Sequence, residues 1–427
     1  MIYSAPSLSS GKGWGRVFEM NTFFTELGRR VYARWLEADF SLAAFPEIAR
    51  TALEEKPPSE LVDLADQIRE FLLSDEQAYQ SSSGFGQPEL IVFDCPKFYI
   101  QLLFWLDGTT DIHQHEFSGA FHVMAGSSIH SEYAFENAWD ITAHFRIGNL
   151  KLRKAELLET GRTVPITSGR TGMHSLFHLE TPSVTVVIRT HSDPGTGPQF
   201  TYLPPHLAVD PVQNDALTLR RKQLLDVLEQ TGDPDYSALV LEMIATLDFE
   251  RGFFVLQNCI GPLRSLGTWE DVWNVFERKH GNLAAPVAPT LEEIIRRDGI
   301  VALRSSIEDV EHRFFLALVL NLENRSDLLD MVGKRFPGTA IQTVLRWAGE
   351  LIQFTESGIW LLDARFPEES LSLDLEDEEQ AGLFLSSLVH FIIGGKLPEE
   401  LKSLGRKKLE LLRRSFLRSS WRVLQAG

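Results

Sequence analysis

Cysteine is almost missing from the chain: two in 427 residues, Cys95 and Cys259. Thiols so few and so far apart build no disulfide framework and suit a reducing compartment, so a cytoplasmic location is expected. Long apolar runs are missing too. No stretch approaches the roughly 20 residues of a membrane-spanning helix, and no membrane partner is expected. Basic residues are outnumbered, 41 Lys and Arg against 59 Asp and Glu, for a net charge of −18. A chain that repels phosphate lacks the electrostatic footprint of a nucleic-acid binder. Its basic cluster (Arg406, Lys407, Lys408, Arg413, Arg414, Arg418) is interleaved with Leu and Phe and reads as the solvated face of a last helix. The N-terminal MIYSAPSLSSGKGWGR has no apolar core of the signal-peptide kind. Residues 1–19 are expected to form a disordered leader, with Met20 as a second candidate start.

Apolar residues are plentiful: 44% of the chain, with 28 Phe and 9 Trp. A chain of 427 residues exceeds one typical core, so two domains are expected. The texture changes twice. Between Met20 and Tyr79, Phe23, Phe24, Leu27, Val31 and Trp35 recur at helical spacing. Pro57 and Pro58 break that run, and Ser59 is expected to cap a helix through Leu61, Leu64, Ile68 and Leu72. SSSGFGQPE then reads as a loop. From Leu90 to Leu203, β-branched and aromatic runs such as FYIQLLFWL and VTVVIRT alternate with turns such as LDGTTD and TSGRTG. Many short strands predict a barrel or sandwich. From Asp210 helices return, with Thr268 and Asp271 in capping-box positions and Thr290 opening another helix. The proline-rich LPPHLAVDPVQ reads as the boundary, and LSLDLEDEEQ as an acidic linker. The expected class is α+β: an antiparallel β-barrel with N-terminal helices over residues 20–205, then an all-α domain over 210–427.

The stretch IHQHEFSGAFHVMAG, Ile112 to Gly126, carries the chemistry. On a strand, residues i and i+2 share a face, so His113 and His115 project together and two imidazoles reach one metal ion. The later GMHSLFHLETPSVTVVIRTH supplies a third imidazole from another strand. Residues 174, 176 and 178 share a face there, so His174 and His178 both qualify. The same phase turns Glu116 and His122 away from the pair, with His122 facing outward. His130 lies beyond the Gly126 turn and reads as a surface residue, while His144 is ambiguous. His280, His312 and His390 sit in helical segments, where packing or capping accounts for them. Cys95 reads as a buried small residue.

The run KFYIQLLFWLDGTTDIHQHEFSGAFHVMAG resembles the first metal motif of the cupin superfamily. Within it the likeness is to the thiol dioxygenases, the cysteine dioxygenase family: an aromatic-rich strand, a glycine turn, Ile-His-x-His, and a short apolar strand ending in glycine. GMHSLFHLETPSVTVVIRTHSDP resembles that family's later motif. The resemblance covers residues 85 to 200 and reaches nothing in the C-terminal half. It implies a cupin jelly roll and a mononuclear, non-haem Fe(II) held by His113, His115 and His174, with His178 as the alternative third ligand. It further implies a dioxygenase that uses O2 without 2-oxoglutarate on a small thiol- or amino-acid-like molecule, free or carried on a protein or peptide.

The chain departs from that pattern. Many cupins carry a glutamate four or five residues after the second histidine, where Gly119 and Ala120 stand here. Gly119 also replaces the family's cross-linking cysteine. The zone GFGQPELIVFDCPKF has no arginine where the family places its carboxylate-binding one. The family's Ser-His-Tyr row maps to Val187, Arg189 and His191, so its tyrosine is missing. Arg189 is then the candidate carboxylate clamp and His191 the candidate proton donor. Imidazoles bind iron, zinc, copper and nickel alike. A zinc isomerase or hydrolase is therefore one alternative, and a cupin recognition module is another. Three roles stay open for the helical half: covering the barrel mouth, binding a carrier protein or peptide, or forming a homo-oligomer interface.

Overall fold

The strand-rich region folds into eleven strands: β1 (Glu89–Asp94), β2 (Phe98–Trp105), β3 (Ile112–His113), β4 (Gly119–Ala125), β5 (Ser127–Thr142), β6 (Phe145–Glu159), β7 (Thr163–Ile166), β8 (His174–His178), β9 (Ser183–Thr190), β10 (Thr201–Leu203) and β11 (Leu207–Val209). The computed structural model describes residues 22–73, 80, 86–106, 111–211, 215–354 and 378–425. The expected leader, the start at Met20 and most of the loops SSSGFGQPE and LSLDLEDEEQ lie outside the described residues. The strands form two antiparallel sheets. One runs β1-β2-β9-β4-β7; in the other, β10-β11-β6-β5-β8-β3, the β3–β10 pairing brings the order back to its start.

Four helices precede the strands: α1 (Thr22–Glu37), α2 (Phe45–Glu55), α3 (Pro58–Leu61) and α4 (Leu64–Leu73). The helix expected to run from Ser59 through Leu72 is two helices. Val62 is extended, and Asp63 Oδ1 accepts from Asp66 N at 3.0 Å, which caps α4 in place of Ser59. Alternation in the first sheet decides which side each residue serves. Ile100, Leu102, Ala120, Val184, Val186 and Ile188 pack with Phe24, Leu27, Trp35 and Phe45 from α1 and the start of α2. Leu103, Trp105, Phe121, Val123 and Val187 turn the other way into an inner cluster.

The helices that follow are α5 (Ala216–Thr231), α6 (Tyr236–Thr246), α7 (Phe249–Ser265), α8 (Trp269–His280), α9 (Val287–Ser306), α10 (Val310–Asn321), α11 (Arg325–Arg335), α12 (Ala340–Phe354), α13 (Glu378–Ile393) and α14 (Gly405–Arg418). Their packing crosses the expected boundary. Phe145, Ile147, Leu207 and Val209 of the second sheet share a core with α5 to α9, and Ile129, Phe177 and Leu179 share one with α9 to α14. Arg304 donates to Leu179 O at 2.9 Å with its guanidinium 5.0 Å from the Phe177 ring centre. Arg335 donates to Ser127 Oγ at 2.9 Å and pairs with Glu180. The proline-rich segment read as a boundary is itself structural: β10 and β11 pair through Leu203↔Leu207, with Pro204 and Pro205 in the turn. Leu207 and Val209 are apolar at strand spacing, which outweighs the prolines.

Capping expectations shift similarly. Thr268 makes no side-chain cap to α8, its hydroxyl lying 2.8 Å from Ser237 Oγ. Helix α9 starts at Val287, and Thr290 donates back to Pro286 O at 2.9 Å.

Candidate metal centre

Strand β3 is two residues long and places the first histidine between two neighbours: His113 pairs with Thr201 on β10 and with His174 on β8. The chain then leaves the strand, and His115 bridges in parallel to Ser168. Gln114, pointing opposite, fixes the segment. Its amide donates to Pro198 O at 2.9 Å and its oxygen accepts from Tyr202 Oη at 2.6 Å. With Gln114 held, His113 and His115 share the other side.

His113, His115 and His174 come together as a group whose ligand atoms all lie within 4.8 Å of one another. Ring centres are 4.7 Å apart for His113 and His115, 5.0 Å for His113 and His174, and 4.9 Å for His115 and His174. His115 Nε2 lies 2.8 Å from His174 Nε2. Two imidazole nitrogens bound to one ion at right angles, each at 2.0–2.1 Å, would stand about 3 Å apart. The same distance fits an N–H···N bond with one ring donating, so the third imidazole makes the case for a metal. His115 Nδ1 is buried without a hydrogen-bond partner among the described residues. Burial is the main reason all three rings resist protonation: the His113 pKa lies below the usual imidazole value, and those of His115 and His174 well below it. Neutral rings keep the lone pairs that a metal needs.

His174 has a second partner. Its Nδ1 lies 3.1 Å from His130 Nε2 on the adjacent β5. His130 is buried rather than on the surface, and its Nδ1 is 3.7 Å from Glu156 Oε1. If His174 Nε2 faces a metal, its Nδ1–H donates to His130, and the His130 Nδ1–H then points toward Glu156. The Glu156 carboxyl is held down to about 2, chiefly by its interaction with His130. His130, Glu132 and Glu156 also lie close enough to share an ion. Lys154 Nζ, 2.7 Å from Glu156 and 4.0 Å from Glu132, already supplies a cation there.

His178 stays out of the three-imidazole group. Its Nδ1 lies 3.0 Å from Ser128 Oγ, and its ring stacks on Trp105 at 4.6 Å with an interplanar angle of 19°. Burial lowers its pKa to about 3, so it too is neutral.

The group opens onto a cavity of about 320 Å³ lined by both sheets, including Gln101, Leu103, Trp105, Phe121, Leu176 and His178. No lining residue among those described comes after Pro211, so the described helices of the C-terminal half do not cover this cavity.

Arg189 and His191 are not brought to it. The Arg189 guanidinium sits 3.2 Å from the Phe117 ring centre and 5.1 Å from that of Tyr99. It does not line the cavity, because Phe117 stands before it and packs in turn on His115 at 4.3 Å. Burial lowers the Arg189 pKa to about 10. His191 is half exposed past the end of β9, with Nε2 2.9 Å from Cys95 O and 3.7 Å from Asp94 Oδ1. A carboxylate clamp at Arg189 and a proton donor at His191 therefore both fall outside the cavity lining.

His122 does turn away from the three imidazoles, yet it is fully buried, bonded to Thr163 Oγ1 at 2.8 Å and Ser59 Oγ at 2.9 Å beneath α3. Burial lowers its pKa to about 4. His144 pairs with Asp210 at 2.9 Å and His312 with Glu350 at 2.8 Å, both away from the cavity. The Cys95 thiol is buried, donates to Phe98 O and is pushed up by desolvation.

Gly119 has a steric reason. A Cβ built there would stand 1.9 Å from Ile188 O, so β4 and β9 approach too closely for any side chain. Gly119→Ala is expected to lower stability by about 2 kcal/mol or more, read as a drop in the urea midpoint at unchanged slope. A variant as stable as the parent would show that the strands separate freely.

Compared with known proteins, the chain matches no family model and no curated protein sequence. Fold and site thus define it as an α+β protein with two antiparallel sheets and a possible three-histidine metal site on a cavity wall.

Proposed function

We propose that this protein is a mononuclear non-haem iron oxygenase of the cupin, thiol-dioxygenase type. The sheets form a jelly roll, and His113, His115 and His174 are its metal ligands. The observation that carries the reading is the convergence of three imidazoles, His115 buried and His113 and His174 partly so, from β3, the segment after it and β8 on the wall of a cavity. No carboxylate belongs to that group, so a bound divalent ion keeps its full charge. Fe(II) held there would supply the redox chemistry that lets O2 react with an organic molecule.

The chain's own residues do the rest. Phe117 and Phe121 pack against the imidazoles and keep bulk water from that side. His130 fixes the tautomer of His174 through its Nδ1. The cavity holds a small-molecule substrate beside the ligands.

The test is metal analysis of protein prepared without added metal, followed by O2 uptake on adding thiols under otherwise anaerobic handling. About one iron per chain and thiol-dependent O2 consumption are expected. Zinc in place of iron, with no O2 uptake, would favour the isomerase or hydrolase alternative. No bound metal at all would leave the recognition-module reading.

A further inference from the structure

The cavity's charge and polarity say what kind of molecule it takes, on the reading that its three histidines hold the metal. Among the described lining residues there is no Lys or Arg, and the lining carboxylate is Asp111. Arg189, the nearest candidate cation in sequence terms, is stacked on Phe117 outside the lining. The segments 81–85 and 107–110 contain no Lys or Arg either. A metal ion would satisfy the one group of the substrate that ligates it. An anionic group elsewhere on that substrate would be buried with no partner of opposite charge, which is strongly unfavourable.

Neutral polar residues line this cavity instead: Gln101 and His178, with Gln87, Thr185, Gln199 and Thr201. Gln101 is 1% exposed and lines the cavity from β2 with a side-chain amide that can both donate and accept. His178 is 2% exposed, and its Nε2 is buried without a hydrogen-bond partner among the described residues. The His178 Nδ1 contact to Ser128 Oγ allows either tautomer, so Nε2 donates or accepts as a ligand requires. Unpartnered buried polar atoms are costly, and a ligand that satisfies them recovers that cost. The apolar and aromatic part of the wall is Leu103, Phe117, Phe121 and Leu176, with Trp105 stacked on His178.

We propose that the substrate is an uncharged molecule away from its metal-ligating atom, with an apolar or aromatic body and a neutral hydrogen-bonding group that Gln101 and His178 engage. A free amino acid or any carboxylate-bearing thiol is selected against.

A matched pair tests this: 4-(mercaptomethyl)benzamide and 4-(mercaptomethyl)benzoate, equal in shape and differing in charge at the end remote from sulfur. Each is titrated calorimetrically into the full-length protein under argon, with metal content measured on the same samples. The amide is expected to bind about ten- to hundredfold more tightly than the carboxylate. Gln101→Leu is expected to reduce amide affinity about tenfold, with metal content unchanged. Equal or tighter binding of the carboxylate, or binding of neither compound, overturns the proposal. Metal-free protein that still prefers the amide would overturn only the iron reading and would support this one.

Discussion

On the proposed metal reading, replacing His174 by alanine is expected to abolish metal binding, while His178→Ala keeps it. The two histidines share a strand face, and spacing alone leaves both as candidates. Register separates them. His174 pairs directly with His113 across β3 and β8, and its Nε2 meets that of His115 at 2.8 Å. The His178 ring is held elsewhere, between Ser128 and Trp105. Structural metal sites with four protein ligands bind with roughly 10–16 kcal/mol, so one ligand is worth about 3 kcal/mol, or at least about a hundredfold in affinity. Metal-to-protein ratios after dialysis against graded chelator read this out without reference to any activity. Circular dichroism on His174→Ala and on the milder His174→Gln separates lost ligation from lost fold. Full metal in His174→Ala together with an emptied His178→Ala would reverse the assignment.

The pair His113 and His115 was legible because strand phase is a local property: two residues apart means one side. The third member of the histidine group is legible to within one choice, since pairing partners depend on register, and register is set by contacts distant in sequence. His130, expected at the surface, is buried, whereas His122 faces outward as its strand phase implies. A polar residue on a strand is ordinarily assigned to the solvated side of its sheet. Here both sheets are covered on their outer sides. Ile129 and Phe177 point outward into the C-terminal helices, which leaves Ser128, His130 and His178 to point inward. His122 does point outward, but onto Ser59 rather than water. The signal that could have found His130 was the apolar Ile129 and Tyr133 on the alternate phase, read as a side covered by helices. Arg189 was placed by likeness to a motif row. Its phase is inward, but Phe117 takes the position before it, and no periodicity in the sequence reports which of two inward side chains reaches a cavity first.

His130→Phe is expected to weaken metal binding by about ten- to hundredfold, although His130 touches no metal. The argument rests on a proton. A ring that ligates through Nε2 carries its hydrogen on Nδ1, and a buried N–H without an acceptor costs about 1–3 kcal/mol. His174 Nδ1 has that acceptor in His130 Nε2 at 3.1 Å. Phenylalanine fills the space and keeps the edge contact to the Phe121 ring, now 5.9 Å between centres, but it accepts nothing. The His174 ring then loses both its orientation and the preference for the ligating tautomer. His130→Gln restores an acceptor oxygen and is expected to recover much of the affinity, which a purely steric role for His130 would not allow. Glu156→Gln is expected to do less, because Glu156 stands 3.7 Å from His130 and is shared with Lys154. Competition titrations with a chromophoric chelator rank the three variants. Parental affinity in His130→Phe would mean that His174 is oriented by its strand alone and that the chain from Glu156 through His130 contributes nothing to the centre.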